Sequence, residues 1–383
     1  MRIADLGLRI FGAALIVAAL GVAIGAGRSA QQPPAAAKKQ PSPEGSPALG
    51  EEQANLPDAK IAGEIPAVRV SPEDQTADWP ALAVDNSGAA WIAYIEWNGR
   101  DADRVVVRRR AAGGDQWGEP IVLDDGSGDH YSPAIVATGD TALAIWSGQS
   151  DGNFDLYAAE IGASGRPGPI ERLTRAPHSD FNARAAADGR GNVTVAWQTF
   201  RNGQSDIYAR RRSGGKWGAE TRISPSAAHD WEPDVALDSR GLAWISWDSY
   251  HAGNYDVFLR SFDGHAGGAL VPITSEPDAQ FHSSVAVDSA DRVWVAWDEA
   301  GPNWGKDYSR SSAVPGSRGL HYSRRLNLRV WWRGSLHTPA ADLSKVLTGR
   351  MSRYAELPEL AVDSSGGLHL VFRHWTWTKP NEI

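Results

Sequence analysis

The stretch that decides the fold is residues 231–260, WEPDVALDSRGLAWISWDSYHAGNYDVFLR. It contains three short apolar runs, at 234–237, 242–247 and 255–259, and a fourth follows at 270–274. The first two runs are joined by DSRG at 238–241. This predicts a turn, because Asp and Ser cap turns and Gly accepts a positive φ. Each run is too short for a helix and rich in β-branched or aromatic residues, so the stretch predicts a four-stranded antiparallel meander.

The same unit recurs along the chain with a period near fifty residues. A turn Asp is followed nine residues later by an aromatic residue in five copies, and a sixth copy with a shorter turn ends at Trp146. The five Asp–aromatic pairs are Asp85 and Tyr94, Asp188 and Trp197, Asp238 and Trp247, Asp288 and Trp297, and Asp363 and Phe372. A pattern typical of the third strand also repeats, at 152–157, 203–208 and 253–258. Four strands per unit at this period predict an all-β chain, a six-bladed β-propeller of four-stranded antiparallel blades.

The two ends of the chain carry their own predictions. Residues 1–27, with an uncharged apolar run at 10–27, predict either a cleaved signal peptide or an uncleaved membrane anchor. Residues 28–60 are rich in Pro and Ala and predict a disordered linker, which leaves 61–383 for the propeller. Residues 65–71 resemble the fourth strand of later blades, so we expect them to pair with the last blade and close the ring. That last blade lacks its outer strands, so we expect it to be truncated and the chain to be part of a longer protein.

Composition excludes several classes of function. The chain has 38 Lys and Arg against 46 Asp and Glu, a net charge of −8, and no basic patch, which argues against nucleic acid as a partner. It has no cysteine, which excludes disulfides, thiolate metal ligands and a cysteine nucleophile. Most of the 17 tryptophans fall at repeat positions, so packing between blades is their predicted role.

The turn and third-strand carboxylates are predicted to be structural. Each turn offers one Asp with Ser or Arg beside it, too few oxygen ligands for a calcium site. The third-strand aspartates, Asp155, Asp206 and Asp256, recur at equivalent positions, which favours capping over catalysis.

Binding residues are predicted on the loop face instead. There the loops entering the first strands and leaving the second strands are polar and differ between blades. The ligand-binding candidates are Glu96, His130, Arg184, Glu232, Asp248, His282, Asp298, Glu299, Trp304, Arg373 and His374. His130 and His282 are three blades apart, so we predict no metal site, and no cofactor is implied.

The DSRG turn followed by an aromatic-bounded second strand resembles exported bacterial propellers of the TolB-like and sialidase-like superfamilies. A sialidase-like chain is expected to hold three arginines for a carboxylate, an Asp acid/base and a Tyr–Glu pair. Here the turn is one residue longer than the sialidase Asp-box, and no arginine triad is apparent.

Two functions follow for an exported chain that is periplasmic, extracellular or anchored outside the inner membrane. The first is a binding module whose loop face holds a polar small molecule, a glycan or an envelope protein. The second is a sialidase-like or other glycan-directed hydrolase, using a pair such as Asp248 and Asp298, whose carboxyls should then face each other across a pocket.

Overall fold

The computed structural model describes residues 68–97, 103–124, 128–251, 253–301, 324–340, 342–352 and 354–374. The predicted targeting segment and linker lie outside the described residues, as does most of the fifth-blade insertion with its candidate Trp304. Within the described part, no helix is long and apolar enough to cross a membrane.

The described chain is built almost wholly of strands, grouped here into sheets 1–6 in chain order. Sheet 1 holds β1 (Thr76–Val84), β2 (Ala90–Trp97), β3 (Asp103–Arg110) and β4 (Ile121–Asp124). Sheet 2 holds β5 (His130–Thr138), β6 (Thr141–Ser150), β7 (Asn153–Ile161) and β8 (Glu171–Arg172). Sheet 3 holds β9 (Asp180–Ala187), β10 (Val193–Thr199), β11 (Asp206–Ser213), β12 (Lys216–Trp217) and β13 (Thr221–Arg222).

The second half of the chain continues the series. Sheet 4 holds β14 (His229–Leu237), β15 (Ala243–His251), β16 (Asn254–Phe262) and β17 (Gly267–Pro272). Sheet 5 holds β18 (Ala279–Val287), β19 (Val293–Ala300), β20 (Arg324–Trp332) and β21 (Ser335–His337). After a single helical turn, α1 (Leu343–Val346), and a 3₁₀ turn (Gly349–Ser352), sheet 6 holds β22 (Ala355–Val362) and β23 (Leu368–His374).

Neighbouring strands in every sheet are antiparallel and follow chain order, which confirms the predicted meander. Sheet 3 differs only at its outer edge, where β12 and β13 both pair with β11. The observed strands are longer than the apolar runs that predicted them, because their polar ends also pair. For example, β15 continues from Trp247 through Asp248 to His251.

Successive sheets pack face to face, and the first strands of neighbouring sheets are in contact. Each gap between neighbours is filled by an apolar cluster. The repeat tryptophans lie in these gaps, and Trp146, Trp197 and Trp247 are 0%, 0% and 1% exposed. Truncating one of them to alanine costs about 3–5 kcal/mol. The predicted packing role of the repeat tryptophans is therefore confirmed.

The repeated turn Asp is a backbone cap. Asp238 Oδ1 accepts hydrogen bonds from the amides of Arg240 (3.0 Å) and Leu242 (2.9 Å). The same pair of bonds, to the second and fourth residues after the Asp, occurs at Asp85, Asp188, Asp288 and Asp363. The structural role predicted for these carboxylates is confirmed.

The third-strand aspartates tie strands together. Asp155 and Asp206 form ion pairs with Arg172 and Arg222, which belong to the outer strands of the same sheets. Asp256 accepts a hydrogen bond from Thr274 Oγ1 at 3.4 Å. These contacts agree with capping rather than catalysis.

Every first strand contains a bulge that was not predicted from the sequence. One extra residue interrupts the register at the same place in all six sheets. The residue in each bulge has a positive φ of 43° to 57°, and these six are Trp79, Ser132, Asn182, Glu232, His282 and Leu357. Non-glycine residues in this region are strained by about 1–3 kcal/mol, and such strain clusters at functional sites.

The predicted strand at 65–71 is wrong over its described part, because residues 68–71 pair with no strand. The physical reason is the lack of a partner strand. A fourth strand needs a third strand beside it, and the described part of sheet 6 has two strands. The backbone carbonyl of Val70 instead accepts a hydrogen bond from Arg108 of β3. Equivalent arginines reach Leu173, Ile223 and Ile273 in the preceding sheets. Val70 thus occupies the place of a fourth-strand residue without forming a strand.

Candidate functional site

The bulges of sheets 4 and 5 bring two predicted residues together. Glu232 and His282 occupy equivalent bulge positions, and His282 Nε2 lies 3.7 Å from Glu232 Oε2. Half of the Glu232 side chain is exposed, whereas His282 is partly covered. The left-handed backbone at both positions fixes the direction of each side chain.

His282 is held by two carboxylates from the second strands. Its Nδ1 lies 2.6 Å from Asp298 Oδ1, and its backbone amide donates to Asp248 Oδ1 at 3.3 Å. Both aspartates directly follow a repeat tryptophan, so the strand register places them equivalently in sheets 4 and 5. Asp298 also accepts a 2.9 Å bond from buried Arg324, at the start of β20. We call Glu232, Asp248, His282, Asp298 and Arg324 the acid–histidine cluster.

Burial and neighbouring charges shift the pKa values of two residues in this cluster, Asp248 and His282. Burial raises the pKa of Asp248 well above its usual range, and Glu232 raises it further. Burial lowers the pKa of His282, but Asp298, Glu232 and Asp248 outweigh it and raise the pKa to about 9. The surroundings therefore favour the protonated form of Asp248 more than is usual for an Asp, and they favour the cationic form of His282. Three acidic residues of the cluster, Glu232, Asp248 and Asp298, thus lie around two basic residues, His282 and Arg324.

A purely structural role for Asp248 and Asp298 has to be weighed first. Each caps the bulge amide of the next sheet, of His282 at 3.3 Å and of Leu357 at 3.5 Å. In sheet 3 the same cap is made by Gln198, whose Oε1 accepts from the Glu232 amide at 3.4 Å. The uncharged side-chain amide of Gln198 is therefore sufficient for capping. Capping alone does not explain why sheets 4 and 5 have ionisable carboxyl groups, Asp248 and Asp298, at this position.

A second polar contact joins first strands that are far apart in the chain. Arg184 of β9 lies 3.1 Å from Glu359 of β22, although 175 residues separate them. Asp234 of β14 accepts bonds from Ser284 Oγ (2.9 Å) and the Val285 amide (2.8 Å) of β18. The Arg184–Glu359 contact therefore joins the first strands of sheets 3 and 6.

Four predicted residues belong to other contacts. Glu96 and Glu299 are buried and form cross-strand ion pairs with Arg104 and Arg325. Arg373 forms the same kind of pair with Glu356 of β22, and His374 Nδ1 lies 3.2 Å from the Tyr354 carbonyl oxygen. The structure therefore does not bring these four residues into the acid–histidine cluster. His130 lies apart as well, buried between sheets 1 and 2.

Two residues near the cluster were not predicted. Tyr131, the residue before the sheet 2 bulge, has a pKa raised by burial and by Glu232, which keeps its phenol neutral. Arg324 follows the long insertion, so the repeat pattern gave no register for it. A signal for the bulges was present: Pro follows the bulge residue in four sheets, at Pro80, Pro133, Pro233 and Pro358.

No protein-family model matches the sequence, and no curated protein matches it. Among solved structures, an ulvan lyase from a new polysaccharide lyase family is similar at 13% identity with a TM-score of 0.52. The match covers 76% of this chain and 77% of that one. The same enzyme bound to a GlcA–Rha3S oligosaccharide is similar at 12% identity, TM-score 0.50 and the same coverage. A Penicillium chrysogenum α-L-arabinanase with arabinobiose gives 11% identity and 0.48, covering 76% of this chain and 86% of that one.

Similarity at this level concerns the fold alone. It supports the β-propeller predicted from the repeats, all-β with four-stranded antiparallel sheets. It does not support the narrower TolB-like or sialidase-like assignment. The described arginines agree with this, since Arg184, Arg324 and Arg373 each pair with a different carboxylate and no triad forms.

Proposed function

We propose that the chain is a glycan-directed hydrolase whose catalytic centre is the acid–histidine cluster. The observation that carries the proposal is the contrast between two neighbouring carboxyls. Burial raises the pKa of Asp248 well above its usual range, whereas Glu232 is half exposed beside a histidine whose pKa is raised to about 9. A carboxyl group whose pKa is raised by burial is typical of the general acid in glycoside hydrolysis.

The two carboxyls divide the reaction between them. Asp248 donates its proton to the glycosidic oxygen as the bond to the anomeric carbon breaks. Glu232, on the exposed side, accepts a proton from the attacking water. After the product leaves, Glu232 releases that proton to solvent and Asp248 takes one up, which restores both groups. His282, fixed by Asp298, lies 3.7 Å from Glu232 and sets its position.

The comparisons lend support of a general kind. The similar solved structures include a polysaccharide lyase and an arabinanase, both glycan-directed enzymes. This favours catalysis on a glycan over a module that only binds one. A glycan is also the partner that suits a half-exposed carboxylate site, because sugar hydroxyls donate hydrogen bonds to it.

The first prediction tests the two carboxyls. In a screen of polysaccharides for released reducing ends, we expect Asp248→Asn and Glu232→Gln each to lower kcat by about 10²–10⁴-fold, as expected for loss of a general acid or base. Asn at 248 retains an oxygen that can cap the His282 amide, so the fold is expected to survive. Asp291→Asn is the matched control, because Asp291 is a partly buried left-handed residue in the turn that Asp288 caps, away from the cluster. We expect its kcat to be unchanged.

The reaction products distinguish hydrolysis from elimination and from binding without cleavage. A hydrolase releases saturated sugars, and inversion at the anomeric carbon, followed by NMR, is expected for direct attack by a water molecule that a general base activates, the role proposed for Glu232. Unsaturated, ultraviolet-absorbing products would replace hydrolysis with elimination. Glycan binding without any cleavage by the wild type would return the chain to the class of binding modules.

Two finer statements belong to this proposal. We propose that the sheets form a ring of six blades, as the six sequence repeats suggest, and that residues 1–27 direct the chain out of the cytoplasm. Access to extracellular polysaccharide depends on the second statement. Fractionation of cells that express the full chain tests it, and retention in the cytoplasm would contradict it.

A further inference from the structure

A second cleft, of about 230 Å³, opens between sheets 1 and 2 and is separate from the acid–histidine cluster. Its walls include Asp78, Trp79, Trp97, Asp103 and His130. The strand register explains why these residues meet. Asp103 pairs with Trp97 across β3 and β2, and Asp78 of β1 pairs with Ile95, two residues before Trp97. His130 begins β5 in the facing sheet.

His130 departs from the pattern of its neighbours. At the same position of sheets 3 and 4, Asp180 and Asp230 accept the indole N–H of Trp197 and Trp247, at 3.1 and 3.2 Å. In sheet 2 this bond is absent from the described contacts: Trp146 Nε1 and both ring nitrogens of His130 are buried without a hydrogen-bond partner. The His130 Nε2 atom is 3.8 Å from Asp124 Oδ1, beyond hydrogen-bonding distance.

His130 is 8% exposed and forms part of the cleft wall. Burial lowers the pKa of His130 against the opposing effect of Asp124, Asp103 and Asp129, so the ring is neutral and adds no positive charge to the wall. Because both ring nitrogens are buried, the acceptors that the cleft presents are the carboxylates of Asp78 and Asp103.

The charge and the aromatic walls restrict the ligand further. Of the described residues that line the cleft, two are carboxylates and none is Lys or Arg. Trp79 and Trp97 are 40% and 46% exposed, unusual for residues of this size. Trp79 is also a left-handed bulge residue, and its ring rests on Tyr131 with centroids 4.4 Å apart. Exposed indoles beside carboxylates bind cations through their ring faces.

We propose that this cleft binds a primary ammonium group, with Asp78 and Asp103 balancing its charge and accepting its N–H groups, and Trp79 and Trp97 covering its carbon skeleton. The site goes beyond the proposed hydrolysis and does not depend on it. An amino sugar and an alkyl amine both carry this group, so the test includes both sources.

The test measures binding of glucosamine and n-butylammonium to the full chain by calorimetry and saturation-transfer NMR. N-Acetylglucosamine and N-butylacetamide are the matched neutral probes. We expect both amines to bind and to weaken as salt is raised, and both amides to bind at least tenfold more weakly. Binding of glucosamine alone would identify an amino sugar as the source.

Substitutions in the cleft test whether the amines bind there. We expect Asp78→Asn and Trp97→Ala each to weaken amine binding by about tenfold. Asp263→Asn, an exposed carboxylate of sheet 4, serves as the control and leaves binding unchanged. Equal binding of amines and amides, no binding of either amine, or wild-type affinity in both cleft variants would overturn the proposal. Thermal unfolding midpoints close to the wild type confirm that each variant is folded.

Discussion

At the scale of single residues, His282 links stability to chemistry. Its pKa of about 9 in the folded chain lies above its usual value of 6.5, because Asp298, Glu232 and Asp248 stabilise the cation. The folded state therefore holds the proton more tightly than the unfolded state does. The resulting stabilisation is complete below about pH 6.5 and is lost as the pH rises through about 9.

This gives a prediction for His282→Gln. The free energy of unfolding of the wild type, measured by urea denaturation, is expected to fall between pH 6.5 and 9.5. The fall should exceed that of the variant by on the order of 2–3 kcal/mol. His337→Gln, at an exposed histidine of β21, is the control and should retain the wild-type slope. Equal slopes in the wild type and His282→Gln would contradict the raised pKa.

At the scale of elements, the repeated bulge sets the site. Each bulge adds one residue to a first strand and turns one side chain out of the alternating pattern. In sheets 4 to 6, a second-strand side chain of the preceding sheet caps the bulge amide. Each of these bulges is therefore held by the neighbouring sheet and cannot be understood within one repeat.

The backbone strain that a positive φ causes at a bulge can be relieved by substitution where the bulge side chain makes no polar contact. Leu357 has a φ of 52° and is 37% exposed. Asn tolerates this conformation far better than Leu, so Leu357→Asn is expected to raise the free energy of unfolding by about 1 kcal/mol. Leu82→Asn, at an exposed position of β1 without a positive φ, is the control and should be neutral or destabilising. A lower stability for Leu357→Asn would show that the bulge is not strained.

These elements also show how far sequence reasoning reached. Strand order and the turn caps were predictable, because period-two apolar runs and Asp–Gly turns are local signals. Glu232, His282, Asp248 and Asp298 were named as separate loop-face candidates, but not as a cluster. Their contact depends on the bulge, which shifts the side-chain direction by one residue, and on Arg324, whose register the insertion hides.

At the scale of the whole molecule, Val70 bears on how the first and last sheets meet. In sheets 3, 4 and 5, an arginine of the third strand bonds a carbonyl at the end of the preceding sheet, for example Arg260 to Ile223 at 2.7 Å. Arg108 of sheet 1 makes this contact with Val70. Residues 68–71 therefore stand where the outer edge of a sheet preceding sheet 1 would lie.

Deleting residues 61–71 from the full chain should lower the thermal unfolding midpoint, because sheet 1 then loses its only such contact among the described residues. For a domain of this size, a loss of about 2 kcal/mol lowers the midpoint by roughly 2–4 °C. Arg108→Ala should cause a smaller decrease in the same direction. A melting curve unchanged by the deletion would contradict a contribution of this segment to the stability of sheet 1.

The six bulge positions share one backbone conformation and carry six different side chains. In blades whose caps are in place, a substitution at such a position leaves the main chain unchanged. The side chain at one bulge position can therefore change without a change in the backbone of the sheets or at the other five positions. Descendants of such a chain could change substrate through a few point mutations while their tryptophan-packed interior stays constant.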